Sequence, residues 1–261
     1  MSKIIFGPSL IELGWEVATY IPACRHIAQN YKQRIVICKP GTQYLYSDFA
    51  DIYHLYSKEG RSDRWLFRDK KIKIPDKYKK LYPDAVKSPP DRKMCLHTPK
   101  KYLQYGKLNK KLKYDLVIHA RSEAKYGRSN RNWSIGKYMK VVTALREIKH
   151  LSVCSIGSVK GAYYIPGTND MRGVGMKILC DLLASSKLCI GVSSGPLHLA
   201  SFCGCPHLVW TGNEHQKAIG GTNKDRYERK WNVFNTKVKV INKYGWTPPW
   251  EKVLKAVKDR I

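Results

Sequence analysis

The residues best suited to chemistry fall in two places. The first is residues 187–212, K-L-C-I-G-V-S-S-G-P-L-H-L-A-S-F-C-G-C-P-H-L-V-W-T-G, where Ser193, Ser194, Gly195 and Pro196 separate an apolar run from an apolar helical segment. A turn of small residues opening a helix offers free backbone N–H groups and the positive end of a helix dipole, which together hold an anion such as a phosphate. His198 falls in the first helical turn, where it is either a hydrogen-bonding partner of that anion or a structural histidine. The second place lies near the amino end, where Glu12 and Glu16 flank Gly14 and Trp15 soon after Gly7-Pro8-Ser9. A carboxylate just past a glycine turn at a strand's end suits a general base.

Both places read as βαβ units, the elements needed to position such residues. Residues 188–192 form a buried strand by length and composition, Pro196 suits a first helical position, and Ser193 or Ser194 suits the cap. Gly204 ends that helix and residues 206–210 read as the next buried strand. At the amino end, residues 4–6 open as a strand, residues 10–28 read as a helix interrupted near Pro22, and residues 31–39 end in the strand I-V-I-C. A short helix and a strand edge are expected within residues 44–56. Further on, strands are predicted at 115–120, 153–156 and 238–241, and helices at 135–148, 176–185 and 249–261. Gly157 and Ser158 turn the strand at 153–156. Residues 58–113 show poor periodicity, with five prolines and with Trp65 and other aromatic rings scattered among lysines.

The chain has 261 residues, 43% of them hydrophobic and 11% aromatic, enough for a substantial core and too apolar for disorder. No apolar run reaches the roughly 18 residues of a membrane-spanning helix, and the amino terminus lacks the pattern of a secretory signal, so the expected location is cytoplasmic. The eight cysteines lie mostly within apolar runs, as reduced buried thiols do. Cys203 and Cys205 are the only close pair and lack the second pair of a zinc site. The net charge is +28. It is concentrated: residues 58–113 carry nineteen basic and six acidic groups, a balance of +13, against +1 for residues 1–57. Such a concentration favours a polyanionic partner, with the interleaved rings available to stack on bases or to pack the segment down.

Gly191, Ser194, Gly195, Pro196, His198, Leu199, Ala200, Gly204 and Pro206 match the pattern G-x-D-[ST]-G-P-x-H-L-A-A-x-x-G-x-P. The stretch thereby resembles the nucleotide-binding signature of the heptosyltransferase-like group of GT-B glycosyltransferases, glycosyltransferase family 9. The pattern's Asp falls on Ser193. At the amino end, with Pro22 set on the proline of the family's T-L-P-A, Glu16 falls where the family carries its catalytic Asp and Trp15 is an extra residue after Gly14. The resemblance is good over residues 115–212 and loose over the first thirty. It does not reach residues 58–113.

The resemblance implies an α/β chain with the GT-B fold, two Rossmann-like domains facing across a cleft. Residues 1–114 would form the acceptor domain with a basic insertion. Residues 115–261 would bind the nucleotide-sugar, their last helix packing back on the junction. Donor binding is expected from Arg121, Arg131, Gly157, Ser193, Ser194, Gly195, Pro196 and His198. Arg131 stands where the family has a phosphate-contacting basic residue before Trp-Pro, here Trp133-Ser134. Lys160-Gly161 stands where family members often have an acid that holds the ribose. Glu16 is the implied general base, with Glu12 and Asp51 as alternatives, and Gly14, Trp15, Arg25 and Trp65 are expected to touch the acceptor. No cofactor or metal is implied beyond the donor, because Arg131 and the helix amino end can meet the charge of a departing diphosphate. The expected reaction moves a sugar to a hydroxyl on a polyanionic acceptor, DNA with hydroxymethylated bases first. A lipopolysaccharide or other anionic surface glycan is the alternative acceptor, and a nucleic-acid-binding protein on the same scaffold is the alternative of another class.

Overall fold

The computed structural model describes residues 2–57, 72–122, 131–147, 150–215 and 221–261. Trp65 and most of the basic loop after Arg121 lie outside the described residues. The chain divides into two units, Met1–Leu103 and Gln104–Ile261.

In the first unit β1 (Lys3–Phe6), β2 (Gln33–Cys38), β3 (Ile52–Leu55) and β4 (Val86–Ser88) form one parallel sheet in the order β3-β2-β1-β4. Between β1 and β2 the chain passes through α1 (Leu13–Trp15), a π-helical turn (Glu16–Tyr20) and α2 (Ile21–Ala28). The helix is interrupted by the π-helical turn at Glu16–Tyr20, which runs directly into Ile21-Pro22, in the neighbourhood where Pro22 predicts a break. A 3-10 turn at Gln43–Tyr46 precedes β3. The region of poor periodicity holds α3 (Asp76–Leu81), β4 and α4 (Arg92–His97). β4 escapes sequence reading because an edge strand buries little, and Val86 and Lys87 are exposed. Ile5, Ile35, Ile37, Ile74, Tyr78 and Ala85 pack into a core of this unit.

In the second unit β5 (Leu116–His119), β6 (Val153–Gly157), β7 (Asn169–Arg172), β8 (Leu188–Val192), β9 (His207–Trp210) and β10 (Val238–Ile241) form a parallel sheet in the order β10-β9-β8-β5-β6-β7. β7, with the polar sequence N-D-M-R, is the strand the hydrophobic pattern misses. The helices are α5 (Ile135–Arg146), α6 (Met176–Ser185), α7 (Gly195–Phe202), the short α8 (Asn223–Asp225) continued by a π-helical turn (Arg226–Lys230), and α9 (Trp250–Lys258). The unit starts earlier than residue 115. Tyr105 N–H donates to Phe202 O at 2.8 Å, Lys107 N–H to Asp181 Oδ1 at 2.8 Å and Asn109 N–H to Ser185 Oγ at 2.8 Å. The closing helix, expected to pack on the domain junction, packs with α5 and places Val253 and Val257 in the core of its own unit beside Trp133, Tyr138 and Trp210.

Candidate functional site

The order of the second sheet reverses between β5 and β8: the chain runs outward from β5 through β6 to β7, then returns to β8 and runs the other way. At such a switch point the connections leave the carboxyl ends of the two strands in opposite directions and open a crevice where ligands of parallel α/β sheets bind. His119 pairs with Gly191 across that boundary. Two residues further along, Arg121 follows the end of β5 and Ser193 the end of β8, with Ser194 next, so the predicted turn sits at the crevice.

Ser194 is the N-cap residue of α7, with extended backbone, and Pro196 follows in the first turn. Its side chain does not cap the helix. Ser194 Oγ lies 2.9 Å from His119 Nδ1 instead. The N–H groups of this uncapped first turn, here those of Gly195 and Leu197 since Pro196 has none, need another acceptor, a geometry that suits a phosphate oxygen. The approach of the strands depends on Gly191: a Cβ there would lie 2.6 Å from His119 O and 2.9 Å from Leu197 Cδ2. Gly157, with φ +124°, closes β6 against the same histidine, and a Cβ on it would lie 2.9 Å from His119 Cδ2. Arg121 is half-buried beside this group and bridges to Ala162. Burial, and then the charge of Arg121, push the pKa of His119 down to about 3. It is a neutral hydrogen-bonding group at physiological pH.

His198 is buried in the first turn of α7, stacked on Tyr227 with ring centroids 4.1 Å apart and edge-on to Trp231 at 4.6 Å. Its Nδ1 has no hydrogen-bond partner among the described residues. Burial, then Arg226 and His207, hold its pKa well below the usual histidine value. Arg131 stacks on Trp246 at 4.5 Å, and Trp246 Nε1 donates to Glu214 Oε1 at 2.8 Å. This group adjoins Gly212 just past the end of β9, on the same carboxyl edge of the sheet. The structure thus gathers Arg121, Gly157, Ser193, Ser194, Gly195, Pro196 and His198 around the ends of β5, β6 and β8. Arg131 lies along the same edge. His119 and Tyr227 belong to this group although sequence reading did not single them out. His119 is hidden in an apolar strand and Tyr227 in a basic run.

In the first unit Glu16 is completely buried on the π-helical turn. Tyr46 Oη donates to Glu16 Oε1 at 2.6 Å, and Lys39 Nζ lies 2.5 Å from Oε2 while also donating to Ile11 O at 2.6 Å. Burial, followed by the charge of Glu16, raises the Tyr46 hydroxyl well above its usual pKa. Of the alternatives, Asp51 is bound by Arg34 at 2.7 and 2.9 Å, and Glu12 immediately precedes α1. Gly14 and Trp15 are buried, and Arg25, 4% exposed, spends its guanidinium on Asp48 at 2.5 and 3.0 Å and on Lys101 O at 2.9 Å. Trp65 lies outside the described residues. All eight cysteines are free and buried. Among the described residues no group of three His, Cys, Asp or Glu is placed to hold a metal ion, and no helix is long and apolar enough to cross a membrane.

Neither a family model nor a curated protein matches the sequence. Solved structures do match its fold. E. coli ADP-heptose LPS heptosyltransferase II superposes with a TM-score of 0.62 at 13% identity, covering 99% of this chain and 98% of that one. E. coli heptosyltransferase WaaC with ADP gives 0.58 at 11% identity, covering 99% of both chains. A glycosyl transferase family 9 protein from Veillonella parvula gives 0.55 at 10% identity, covering 100% of this chain and 90% of that one. With nearly complete coverage on both sides, the chain has the GT-B fold of the heptosyltransferase-like glycosyltransferases.

Proposed function

We propose that this chain is a glycosyltransferase that holds the diphosphate of a nucleotide-sugar at the carboxyl ends of β5 and β8. The uncapped first turn of α7 at the switch point carries this reading, because its N–H groups and dipole suit a phosphate. The fold supports it, and the likeness to a heptosyltransferase with ADP makes ADP-sugars the first donors to try. In the reaction the bond between the anomeric carbon and the diphosphate oxygen breaks, and a bond from that carbon to an acceptor oxygen forms. The departing charge is met by the amino end of α7 and by Arg121 and Arg131, which supply oriented dipoles and cations where charge develops. Glu16 is the proposed acceptor for the hydroxyl's proton.

For the acceptor, an anionic glycan is the better-supported class, given the likeness to a lipopolysaccharide heptosyltransferase. DNA bearing hydroxymethylated bases is the second reading, favoured by the +13 balance of residues 58–113. Incubation with a panel of ADP-, GDP-, UDP- and CDP-sugars, followed by assay of nucleoside diphosphate release with each acceptor class, tests both parts. Release that depends on an anionic glycan supports the reading. Absence of release with every donor, in a folded preparation that also fails to bind the nucleotides, would sink it. Transfer to hydroxymethylated duplex alone, weakening with salt by roughly 0.9 log units per phosphate contact for each tenfold rise, would move the acceptor to DNA.

A further inference from the structure

We infer that Tyr227 is a positioning residue for the diphosphate-binding turn: its hydroxyl, reaching in from the Arg226–Lys230 turn, fixes Ser193 and the backbone of Ser194, while His119 holds the Ser194 side chain. The inference rests on the proposed nucleotide site and deepens it.

Three contacts converge on one oxygen. Ser194 N–H donates to Tyr227 Oη at 3.3 Å, and Tyr227 Oη lies 3.3 Å from Ser193 Oγ and 3.4 Å from Ser194 O. The ring is completely buried and stacked on His198 at an interplanar angle of 11°, so the side chain meets both the turn and the first turn of the helix that follows. Ser194 is thereby held by elements remote in sequence, with Oγ tied to His119 at the end of β5 and the backbone tied to Tyr227.

The anchor itself is braced. Thr222 and Asp225 form a reciprocal capping box at the start of α8, and Asp225 also pairs with Arg229. Asn223 Nδ2 donates to Thr211 Oγ1 at 2.7 Å, which joins α8 to the residue after β9. Arg226 lies over Trp231 at 4.6 Å, and Trp231 in turn packs edge-on against His198. A turn that binds an anion through backbone N–H groups gains affinity when those groups are aimed before the ligand arrives, because no ordering cost is left to meet on binding. Position 193 carries a hydroxyl and no carboxylate, so Tyr227 can hold it without placing a negative charge beside the phosphates.

The test uses the full chain with ADP, GDP and UDP as calorimetric probes, comparing wild type, Tyr227→Phe, Ser193→Ala and the double variant. Phenylalanine keeps the ring and its stack on His198 and removes only the oxygen. For the nucleotide that wild type binds best, Tyr227→Phe is expected to weaken binding about tenfold at a temperature well below its Tm, as the loss of one or two net hydrogen bonds implies. Ser193→Ala is expected to weaken it less, and the double variant to resemble Tyr227→Phe alone, because both changes break the same link. Unchanged affinity in Tyr227→Phe, with or without a lower Tm, would reduce Tyr227 to a packing residue and overturn the inference while leaving the nucleotide site standing. Effects that multiply in the double variant would also overturn it, since Tyr227 would then not act through the turn. If wild type binds none of the three, both the inference and the site fail.

Discussion

Ser194 Oγ and His119 Nδ1 lie 2.9 Å apart, joining the end of β8 to the end of β5 across the point where the strand order reverses. The two residues are 75 positions apart in sequence. Their bond sets where α7 begins relative to the sheet, and the candidate diphosphate site depends on that placement.

Acid should weaken the second unit through its buried histidines. The folded pKa of His119 is about 3 and that of His207 about 4, with His198 also held down, burial being the leading cause in each. Above the unfolded value of 6.5 all three are neutral in both states and contribute no pH dependence. Below it the unfolded chain takes up protons that the folded one refuses, so stability falls by about 1.4 kcal/mol per pH unit for each histidine until the folded pKa is reached. Urea denaturation at a series of pH values between 7.5 and 5 should show this decline, and His119→Asn should shallow it by about one proton. The same slope in the variant would mean that His119 titrates alike in both states.

Gly191→Ala should destabilise the second unit by about 1–3 kcal/mol, the usual cost of forcing an extra carbon into a filled space. The obstacle is backbone, His119 O at 2.6 Å, which cannot swing aside as a side-chain end would. Thermal melts of the variant should show the loss, and nucleotide affinity should fall with it because the crevice is pried apart. A variant as stable as wild type would show that β5 and β8 can separate freely.

Arg25 separates a structural reading from an acceptor-binding one. Its guanidinium is buried and bound to Asp48 and to carbonyl oxygens, so Arg25→Ala should cost about 1–3 kcal/mol, Asp48 being exposed enough to regain water when its partner is removed. Steady-state kinetics on the molecules that remain folded should show an unaltered KM for the acceptor. A raised acceptor KM with undiminished stability would return Arg25 to the acceptor site.

Glu16→Gln probes the proposed base. Turnover should fall by roughly 10²- to 10⁴-fold, the range for removing a general base, while donor affinity persists. Stability should fall as well, because Lys39 loses its buried counter-charge. Turnover near wild type in the folded variant would clear Glu16 of the role and leave its pair with Lys39 a structural one.

Local pattern carried much of this molecule. The strands at 188–192 and 207–210, the turn at Ser193-Ser194 and the helix that Gly204 ends at φ +71° are all written in runs of apolar residues broken by small ones, and they stand where the sequence puts them. The α/β character was legible for the same reason, since a buried parallel strand reads as a continuous apolar run, whereas the GT-B arrangement was implied only by the resemblance of residues 191–206 to the family pattern. β4 and β7 were not legible, because V-K-S and N-D-M-R bury almost nothing and carry no apolar run, unlike the edge strand β10, whose V-K-V-I was read. Pro22 marked the neighbourhood of the interruption between α1 and α2, but that it takes the form of a π-helical turn at Glu16–Tyr20 was decided by the fold. Burial was the other quantity that only packing decided. Trp15 and Arg25 resemble surface binding groups in sequence, yet the fold turns them inward, and Arg25 is tolerable there because Asp48 and the carbonyl oxygens of Lys101 and Leu45 meet its charge. His119 and Tyr227 stand 75 and 33 positions from Ser194, and their convergence on it is set by strand order and helix docking. No periodicity along the chain encodes a meeting of that kind.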